Sequence, residues 1–325
     1  MTAYILQRLI QSVLVLLAVS VVVFFAVYGI GDPIELLVSP QVSQAERLAL
    51  IKRLGLDLPV WQQYLTFMGN ALKGDLGRSF VHGVSAIELI LARAPATFEL
   101  VLLAMSMAIA VGVPLGLLAG LDPESRPSRI IMAGTVLGYS LPSFWKGMML
   151  ILLFAVLLGW LPTAGRGETV TVLGIQTSLF TLDGLRHLIL PALNLAIPIL
   201  ALVIRLVAAG AAEAMTQDYV KYARAKGVRA KRIIGRHVLR NILIPVVTVL
   251  GIEFGSLVAF STITETVFAW PGMGKLLIDS VYQLDRPVVV AYVLLATLLF
   301  VTVNFLVDIL YAALDPRVKL TGEMA

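Results

Sequence analysis

The stretch LIQSVLVLLAVSVVVFFAVYGI, from Leu9 to Ile30, decides the fold class of this chain. It carries no charge, and an α-helix crosses the hydrocarbon core of a bilayer with about 20 apolar residues. A secretory signal has a shorter apolar core of roughly 7–15 residues and a small-residue cleavage site. The stretch ends instead at Gly31-Asp32-Pro33. We interpret it as an uncleaved first membrane span.

The composition of the whole chain agrees with a membrane protein. Of its 325 residues, 59% are apolar and 14% are charged, whereas a soluble domain has roughly 45–50% apolar and about 25% charged residues. These values exclude a soluble enzyme and a disordered chain. Because the chain has no cysteine, disulfides, iron–sulfur clusters and thiolate zinc sites are also excluded.

Further apolar runs predict five more spans, so the expected fold is an all-α, polytopic membrane protein with six transmembrane helices in a single domain, residues 1–325. The predicted spans are Leu100–Leu121, Ile130–Leu158, Leu188–Ala212, Ile242–Phe268 and Val288–Leu314. The second run in this list contains Pro142 and Lys146. It either crosses as one helix or starts at the interface and crosses only after Ser143.

The distribution of Lys and Arg predicts that both termini are cytosolic. The short stretch from Lys221 to Arg240 holds 8 of the 25 basic residues and no acidic residue. Residues 31–98 balance 6 basic against 6 acidic residues, as expected for an extracytoplasmic insert, which we predict to be mostly helical. The net charge of +5 is therefore a topology signal, and no nucleic-acid partner is expected. On the outer side, Thr169–Val172 is β-branched and predicts a short strand or hairpin.

Residues 213–241, EAMTQDYVKYARAKGVRAKRIIGRHVLRN, form the most informative polar segment. A helix is predicted over Glu213–Lys226, with Gly227 as its C-terminal cap, and a second helix over Arg229–Arg240. The positive charge fits contact with anionic membrane lipid. The aromatic and small residues within it fit a protein groove instead.

No constellation of residues predicts catalysis, a metal site or a cofactor. The three histidines, His82, His187 and His237, fall in different segments. The string PGMGKL at Pro271–Leu276 lacks the first glycine and the final Ser or Thr of a phosphate-binding loop. The chain is therefore expected to have no ATP site of its own. Lys146, Glu253 and Asp308 are ionisable residues within predicted spans, where such residues are functional candidates.

Several motifs, in order along the chain, resemble the dipeptide/oligopeptide (peptide/nickel) family of ABC importer permeases, first (B-type) membrane subunit. The resemblance is carried by DYVKYARAKG (Asp218–Gly227), RHVLRNILIP (Arg236–Pro245), KGDLGRSF (Lys73–Phe80), YSLPSFWKG (Tyr139–Gly147), GWLPTAGRG (Gly159–Gly167), ETVFAWPGMGKLL (Glu265–Leu277) and NFLVDILYAALDPR (Asn304–Arg317). The general importer pattern EAA-x3-G-x9-I-x-LP is only partly kept. Lys221, Tyr222 and Ala223 stand at its EAA positions, and 14 residues separate Gly227 from Ile242.

The resemblance implies the type I ABC importer permease fold in a bacterial plasma (inner) membrane. It also implies four kinds of partner: a second homologous permease subunit forming a heterodimer, two cytosolic ABC ATPase subunits, an extracytoplasmic solute-binding protein and the transported solute. Relatives carry dipeptides, longer peptides, glutathione, nickel complexes or sugars, and the sequence leaves the choice open. It also does not tell whether the two ATPases are identical.

Two sets of site residues follow from the resemblance. Residues 213–241 become the coupling loop to the ATPase, with contacts expected from Tyr219, Tyr222, Ala223, Arg224, Ala225, Lys226, Gly227, Arg229 and Arg232. Small polar residues of the third to fifth spans are expected to line the translocation path, namely Ser140, Ser143, Glu253, Ser256, Ser261 and Thr264. The same side chains also suit helix–helix packing. An ion-coupled carrier and an integral-membrane enzyme, both working without ATPase subunits, are the alternative functions.

Overall fold

The computed structural model describes residues 2–28, 43–53 and 55–314. Its helices are α1 Thr2–Tyr28, α2 Gln44–Arg53, α3 Val60–Ala71, α4 Ala86–Leu121, α5 Arg126–Ser140, α6 Ser143–Leu150, α7 Leu182–Thr216, α8 Asp218–Ala225, α9 Ala230–Arg232, α10 Leu239–Phe260, α11 Thr262–Val267, α12 Met273–Tyr282 and α13 Arg286–Leu314. A π-helical turn, Ile151–Leu157, continues α6, and another, Ile233–Val238, joins α9 to α10. Strands β1 (Val170–Val172) and β2 (Ile175–Thr177) form the predicted outer hairpin, with Val170 opposite Thr177.

The predicted all-α, polytopic membrane fold is confirmed. Four helices in the described ranges are long and apolar enough to cross a bilayer, over Leu6–Val27, Ala86–Leu121, Leu182–Thr216 and Arg286–Ile309. Two bent pairs, Arg126–Ser140 with Ser143–Leu157 and Ala230–Leu243 with Pro245–Phe260, bring the number up to six if each pair is one span.

The structure divides two of the predicted runs and lengthens the helix of a third; for Ile130–Leu158, a break before Ser143 is one of the two predicted alternatives. The run Ile130–Leu158 is two helices at 108°, because Pro142 excludes its predecessor Leu141 from the helical region and leaves it extended at ψ 135°. The run Ile242–Phe268 is also divided, since α10 ends at Phe260 and α11 begins at Thr262. Finally, α4 begins at Ala86, so the last part of the predicted insert 31–98 belongs to a membrane helix. The start of that insert, residues 31–42, lies outside the described residues.

The described residues fall into two compact units, which lie within Met1–Thr97 plus Pro271–Thr302 and within Phe98–Trp270 plus Val303–Ala325. In the first unit, α1 packs on α3 through Phe24, whose ring centroid lies 5.3 Å from that of Tyr64. The same unit contains a buried carboxylate, Asp285, just before α13. It accepts the Ser79 hydroxyl and the Phe80 backbone N–H, the latter at 2.9 Å.

In the second unit, α4 and α7 approach closely along three glycines spaced four residues apart. A Cβ at Gly112 would lie 2.9 Å from Val203 Cγ1, and one at Gly116 would lie 2.7 Å from Val207 Cβ. Gly120 meets the backbone of Ala208 in the same way. Small residues at this spacing let membrane helices pack with their backbones close together. This contact was not predicted from the sequence, although the Gly-xxx-Gly-xxx-Gly spacing signals it.

Candidate functional site

The basic segment (residues 213–241) contains the short helix α8 between two membrane helices. α7 ends at Thr216, and Gln217 takes an extended backbone at φ −70°, ψ 148°. A new helix then starts at Asp218, whose carboxylate is favourable in a first turn. The predicted continuous helix Glu213–Lys226 is therefore wrong at Gln217.

The end of α8 shows why this segment carries a glycine. Gly227 N–H donates to the Arg224 carbonyl at 2.9 Å, and Val228 N–H donates to the Ala223 carbonyl at 3.1 Å. These two bonds are the Schellman motif, which closes a helix with a left-handed residue. Gly227 has φ +73°, a conformation that costs other residues roughly 1–2 kcal/mol. The predicted glycine cap is present.

The second predicted helix, Arg229–Arg240, does not stop at Arg240. It begins with the single turn of α9, passes through the π-helical turn and continues as α10. Ile233, Val238 and Ile242 are buried along this stretch. Buried apolar side chains recur along this stretch, so the chain stays helical up to the start of the membrane span.

One residue, Val220, anchors α8, and its side chain is fully buried. Most residues expected to contact an ATPase are exposed, and Ala223 is half-buried; the exposed ones are Tyr219, Tyr222, Arg224, Ala225, Lys226, Gly227, Arg229 and Arg232. The Lys226 ammonium lies 4.5 Å from the Tyr222 ring centroid, a cation–π distance. α8 therefore presents an aromatic and cationic face.

A cavity of about 380 Å³ lies beside α8, between the end of α7 and the start of α10. Glu213 and Asn241 line it from these two helices, and Tyr219 lines it from α8. Asn241 Nδ2 donates to the Tyr219 hydroxyl at 3.3 Å. The hydrogen bond ties α8 to the first turn of α10, so the short helix and the membrane span are connected across the cavity as well as along the chain.

The residues expected to line the translocation path fall into two groups. Ser140 is exposed, and Ser143, Glu253 and Ser256 are partly exposed. Ser261 and Thr264 are instead 0% and 2% exposed. Ser261 Oγ donates to Glu265 Oε1 at 2.8 Å. The structure thus separates accessible side chains on α5, α6 and α10 from two that are enclosed within this chain.

Thr264 belongs to a buried junction of α6, α7 and α11. It accepts a hydrogen bond of 3.0 Å from Asn194 Nδ2 of α7, while Asn194 Oδ1 is buried and has no hydrogen-bond partner among the described residues. Gly147 of α6 lies against both neighbours, since a Cβ there would be 3.1 Å from Val267 and 3.5 Å from Asn194 Nδ2. Asn194 was not predicted from the sequence. The sequence feature that marks it is a single amide side chain between Pro191 and Pro198 in an otherwise apolar helix.

A second polar cluster, which was also not predicted from the sequence, connects the β1–β2 hairpin to α4. Arg166 Nη2 donates to Glu99 Oε1 at 2.8 Å, and the two side chains are 12% and 7% exposed. Ser178 donates to the same carboxylate, with its hydroxyl at 2.7 Å from Oε2. The carboxylate is therefore paired and hydrogen-bonded, as a buried charge requires. The sequence signal is an acidic residue one position before a long apolar run.

The described ranges contain no group of three or more His, Cys, Asp or Glu side chains that could hold a metal ion. His187 Nδ1 lies 2.8 Å from the Asp183 carbonyl, one helical turn earlier. That contact gives Nδ1 of the imidazole a hydrogen-bond partner within its own helix.

Comparison with known proteins places this architecture in a family. The family described as "Binding-protein-dependent transport system inner membrane component" matches residues 112–320, and the corresponding N-terminal family matches residues 1–101. The oligopeptide transport system permease protein AppB of Bacillus subtilis is 38% identical over 98% of this chain and 100% of its own length. The di/tripeptide transport system permease protein DppB of Pseudomonas aeruginosa is 41% identical over 89% of this chain and 90% of its own length.

A solved structure of the MetNI methionine ABC transporter in an inward-facing conformation shares the fold. It aligns with a TM-score of 0.54 at 18% identity and covers 70% of this chain and 97% of the MetNI chain. The family matches together span nearly the whole sequence and include the membrane helices, the basic segment and the buried junction. This chain belongs to the family of binding-protein-dependent transport system inner membrane components, the permease subunits of ABC transporters.

Proposed function

We propose that this chain forms half of the translocation path of an ATP-driven importer for dipeptides or oligopeptides. It pairs with a second homologous permease subunit, two cytosolic ABC ATPase subunits and an extracytoplasmic solute-binding protein. The names of AppB and DppB support the substrate class. ATP hydrolysis belongs to the ATPase partners, and both termini of this chain face the cytosol of a bacterial cell.

The observation that carries the proposal is the form of α8. It is a short helix closed by Gly227, anchored by buried Val220 and otherwise exposed with an aromatic and cationic face. Such a helix fits a groove on a partner protein. ATP binding can drive transport only if the partner contacts differ between the inward-facing and outward-facing states. We assign these contacts to the exposed residues of α8 and to Arg229 and Arg232.

The path is proposed to be lined by Ser140, Ser143, Glu253 and Ser256. Glu253 and Ser256 are three residues apart, so they are neighbours on one face of α10. Ser261 and Thr264 were also expected on the path. Because both are buried within this chain, we propose instead that they hold α11 in place.

The outer surface is proposed to receive the solute-binding protein. Its contacts are expected from the external insert and from the stretch Glu265–Lys275. Of this stretch, Lys275 forms an ion pair of 2.8 Å with Asp279, whereas Glu265 is fully buried. Single-cysteine crosslinking from Lys275 to the binding protein, with Tyr222 as the negative control, tests this contact.

The test of the whole proposal is reconstitution with the partner subunits in vesicles, followed by ATP-dependent uptake of a labelled dipeptide. Gly227→Val and Ala223→Asp should reduce uptake to background, because the first strains the left-handed turn that closes α8 and the second adds a negative charge near the C-terminal end of α8. The amount of subunit in the membrane should stay unchanged. Gly134→Val is the matched control, since an added Cβ at Gly134 meets nothing within 4 Å.

Two results would contradict the proposal. Normal uptake by Gly227→Val or Ala223→Asp would remove α8 from the coupling of ATP hydrolysis to transport. Uptake by the isolated chain without ATP would support an ion-coupled carrier, and product formation by the isolated chain would support an integral-membrane enzyme.

A further inference from the structure

The break between α5 and α6 creates a helix end in the middle of an apolar bent pair, and this end lies at membrane depth if the pair crosses as one span. α5 stops at Ser140, α6 starts at Ser143, and the two helices meet at 108°. The last carbonyls of a helix have no intrahelical N–H donor. In the bilayer core no water replaces that donor, so another group of the protein must bond them.

Lys146 supplies such a group. Its Nζ donates to the carbonyl of Gly138, in the last turn of α5, at 3.1 Å. The side chain is 5% exposed. Its own backbone N–H donates to the Pro142 carbonyl at 3.0 Å, so Lys146 belongs to the first turn of α6 and reaches back across the break.

The charge of this lysine suits the position. The C-terminal end of a helix carries partial negative charge, and a lysine near it bonds the last carbonyls favourably. In the described part of the chain, no carboxylate pairs with Lys146 at ion-pair distance. The end of α5 is therefore the negative partner that the structure offers to this ammonium.

Packing holds both sides of the break close to other helices. A Cβ at Gly138 would lie 3.0 Å from Ile197 Cγ2 on α7. A Cβ at Gly147, next to Lys146, would lie 3.2 Å from the Phe268 ring. These contacts hold α5 and α6 in place next to the bend. Removing the hydrogen bond between Lys146 and Gly138 should therefore change the angle between α5 and α6.

We propose that Lys146 is a positioning residue for transport. Its ammonium caps the end of α5 and thereby fixes the bend at which Ser140 and Ser143 face the translocation path. This inference rests on the proposed function, since it assigns the bend to the path of an importer. Lys146 itself does not contact the transported solute.

The absence of cysteine from the chain permits a direct measurement of the bend. Ile130→Cys on α5 and Val156→Cys at the end of the π-helical turn after α6 are both exposed, at 72% and 61%. Spin labels at these two sites report their distance in the importer assembled from cysteine-free partners in lipid nanodiscs. Lys146→Met should shift the main distance by about 5 Å, because at 1.5 Å per residue the two sites lie roughly 16 and 20 Å from the bend, and a change of about 20° in its angle moves them apart or together by that amount.

Transport provides the second readout. Lys146→Met should lower dipeptide uptake about tenfold or more, in line with the functional weight of charges inside a membrane. Lys146→Arg keeps a charged donor and should restore the distance and most of the uptake. Arg126→Met is the matched control, because it removes an exposed cation from α5, the other helix of the bent pair, and should leave both readouts unchanged.

The proposal is overturned if Lys146→Met keeps the distance and uptake of the original chain, or if Lys146→Arg is as defective as Lys146→Met. Should Lys146→Met fail to insert, Lys146→Gln decides, because it keeps N–H donors without the charge and should still shift the distance. An unshifted distance in Lys146→Gln would show that the ammonium is not needed. The distance requires no transport, so failure of the original chain to take up dipeptide would contradict the proposed function alone.

Discussion

The basic segment and the packed pair of α4 and α7 use glycine for opposite reasons. At Gly227 nothing lies within 4 Å of an added Cβ, and the residue is needed for its φ of +73°. At Gly116 the backbone is ordinary helix, and the residue is needed because a Cβ would lie 2.7 Å from Val207. Gly227 sets the shape of an exposed turn, and Gly116 allows two helices to pack closely in the interior. Substitutions in the two regions should therefore fail in different ways.

The largest effect is expected from Gly116→Leu in the interior. The leucine would overlap Val207 and the Ile204 carbonyl, and overpacking of this kind typically costs about 1–3 kcal/mol or more. We expect loss of folded subunit from the membrane, measured by detergent-extracted yield and size-exclusion chromatography.

Gly134→Leu is the control for that change, because it adds the same side chain to a membrane helix where a Cβ has open space. Full yield of folded Gly116→Leu would show that α4 and α7 do not pack as described.

A smaller effect, confined to function, is expected from the double variant Arg229→Ala and Arg232→Ala in the basic segment. Exposed charges steer association and are screened by salt. Binding of the purified ATPase subunits to the chain in nanodiscs should weaken about threefold to tenfold at low ionic strength and converge with that of the original chain at high salt.

The matched control is Arg129→Ala, which removes an exposed arginine paired with Glu124 at 3.2 Å outside the basic segment. A loss of binding that does not depend on salt would assign these arginines to packing instead of electrostatics.

The smallest effect is expected from Asn194→Ala in the buried junction. Interhelical hydrogen bonds in membranes contribute about 0.6 kcal/mol on average and up to about 1.7 kcal/mol, and Asn194 donates one such bond to Thr264. Denaturant titration in mixed micelles should detect this loss.

A double-mutant cycle with Thr264→Val should then show coupling between the two sites. Asn70→Ala, at an exposed position of α3, should change nothing. Strict additivity of Asn194→Ala and Thr264→Val would refute the hydrogen bond.

The sequence was sufficient for those features that depend on local pattern. Long apolar runs predicted the membrane helices, and Gly227 predicted its own turn because no other residue accepts that backbone cheaply. The strand pair β1–β2 followed from four β-branched residues. The break at Leu141 was weighed but not decided, since Pro142 permits either a kink or an end.

Features that depend on residues far apart in the chain were not predictable in this way. Asn194 meets Thr264 across 70 positions, and Glu99 meets Ser178 across 79. Taken alone, each of these polar residues looks like an isolated polar position in an apolar stretch and does not indicate its partner. Only the fold shows that they form pairs, and that Ser261 and Thr264 are enclosed while Glu253 and Ser256 remain partly accessible.

The π-helical turn Ile233–Val238 determines how the basic segment is connected to α10. A π-helical turn holds about one residue more than an α-helical turn. It therefore changes the angle, about the helix axis, at which the preceding residues stand relative to α10. If the extra residue were absorbed into α-helical geometry, everything before it would rotate by about 100° relative to α10. A change between the two geometries would therefore rotate α8 relative to α10 as well as move it along the axis of α10.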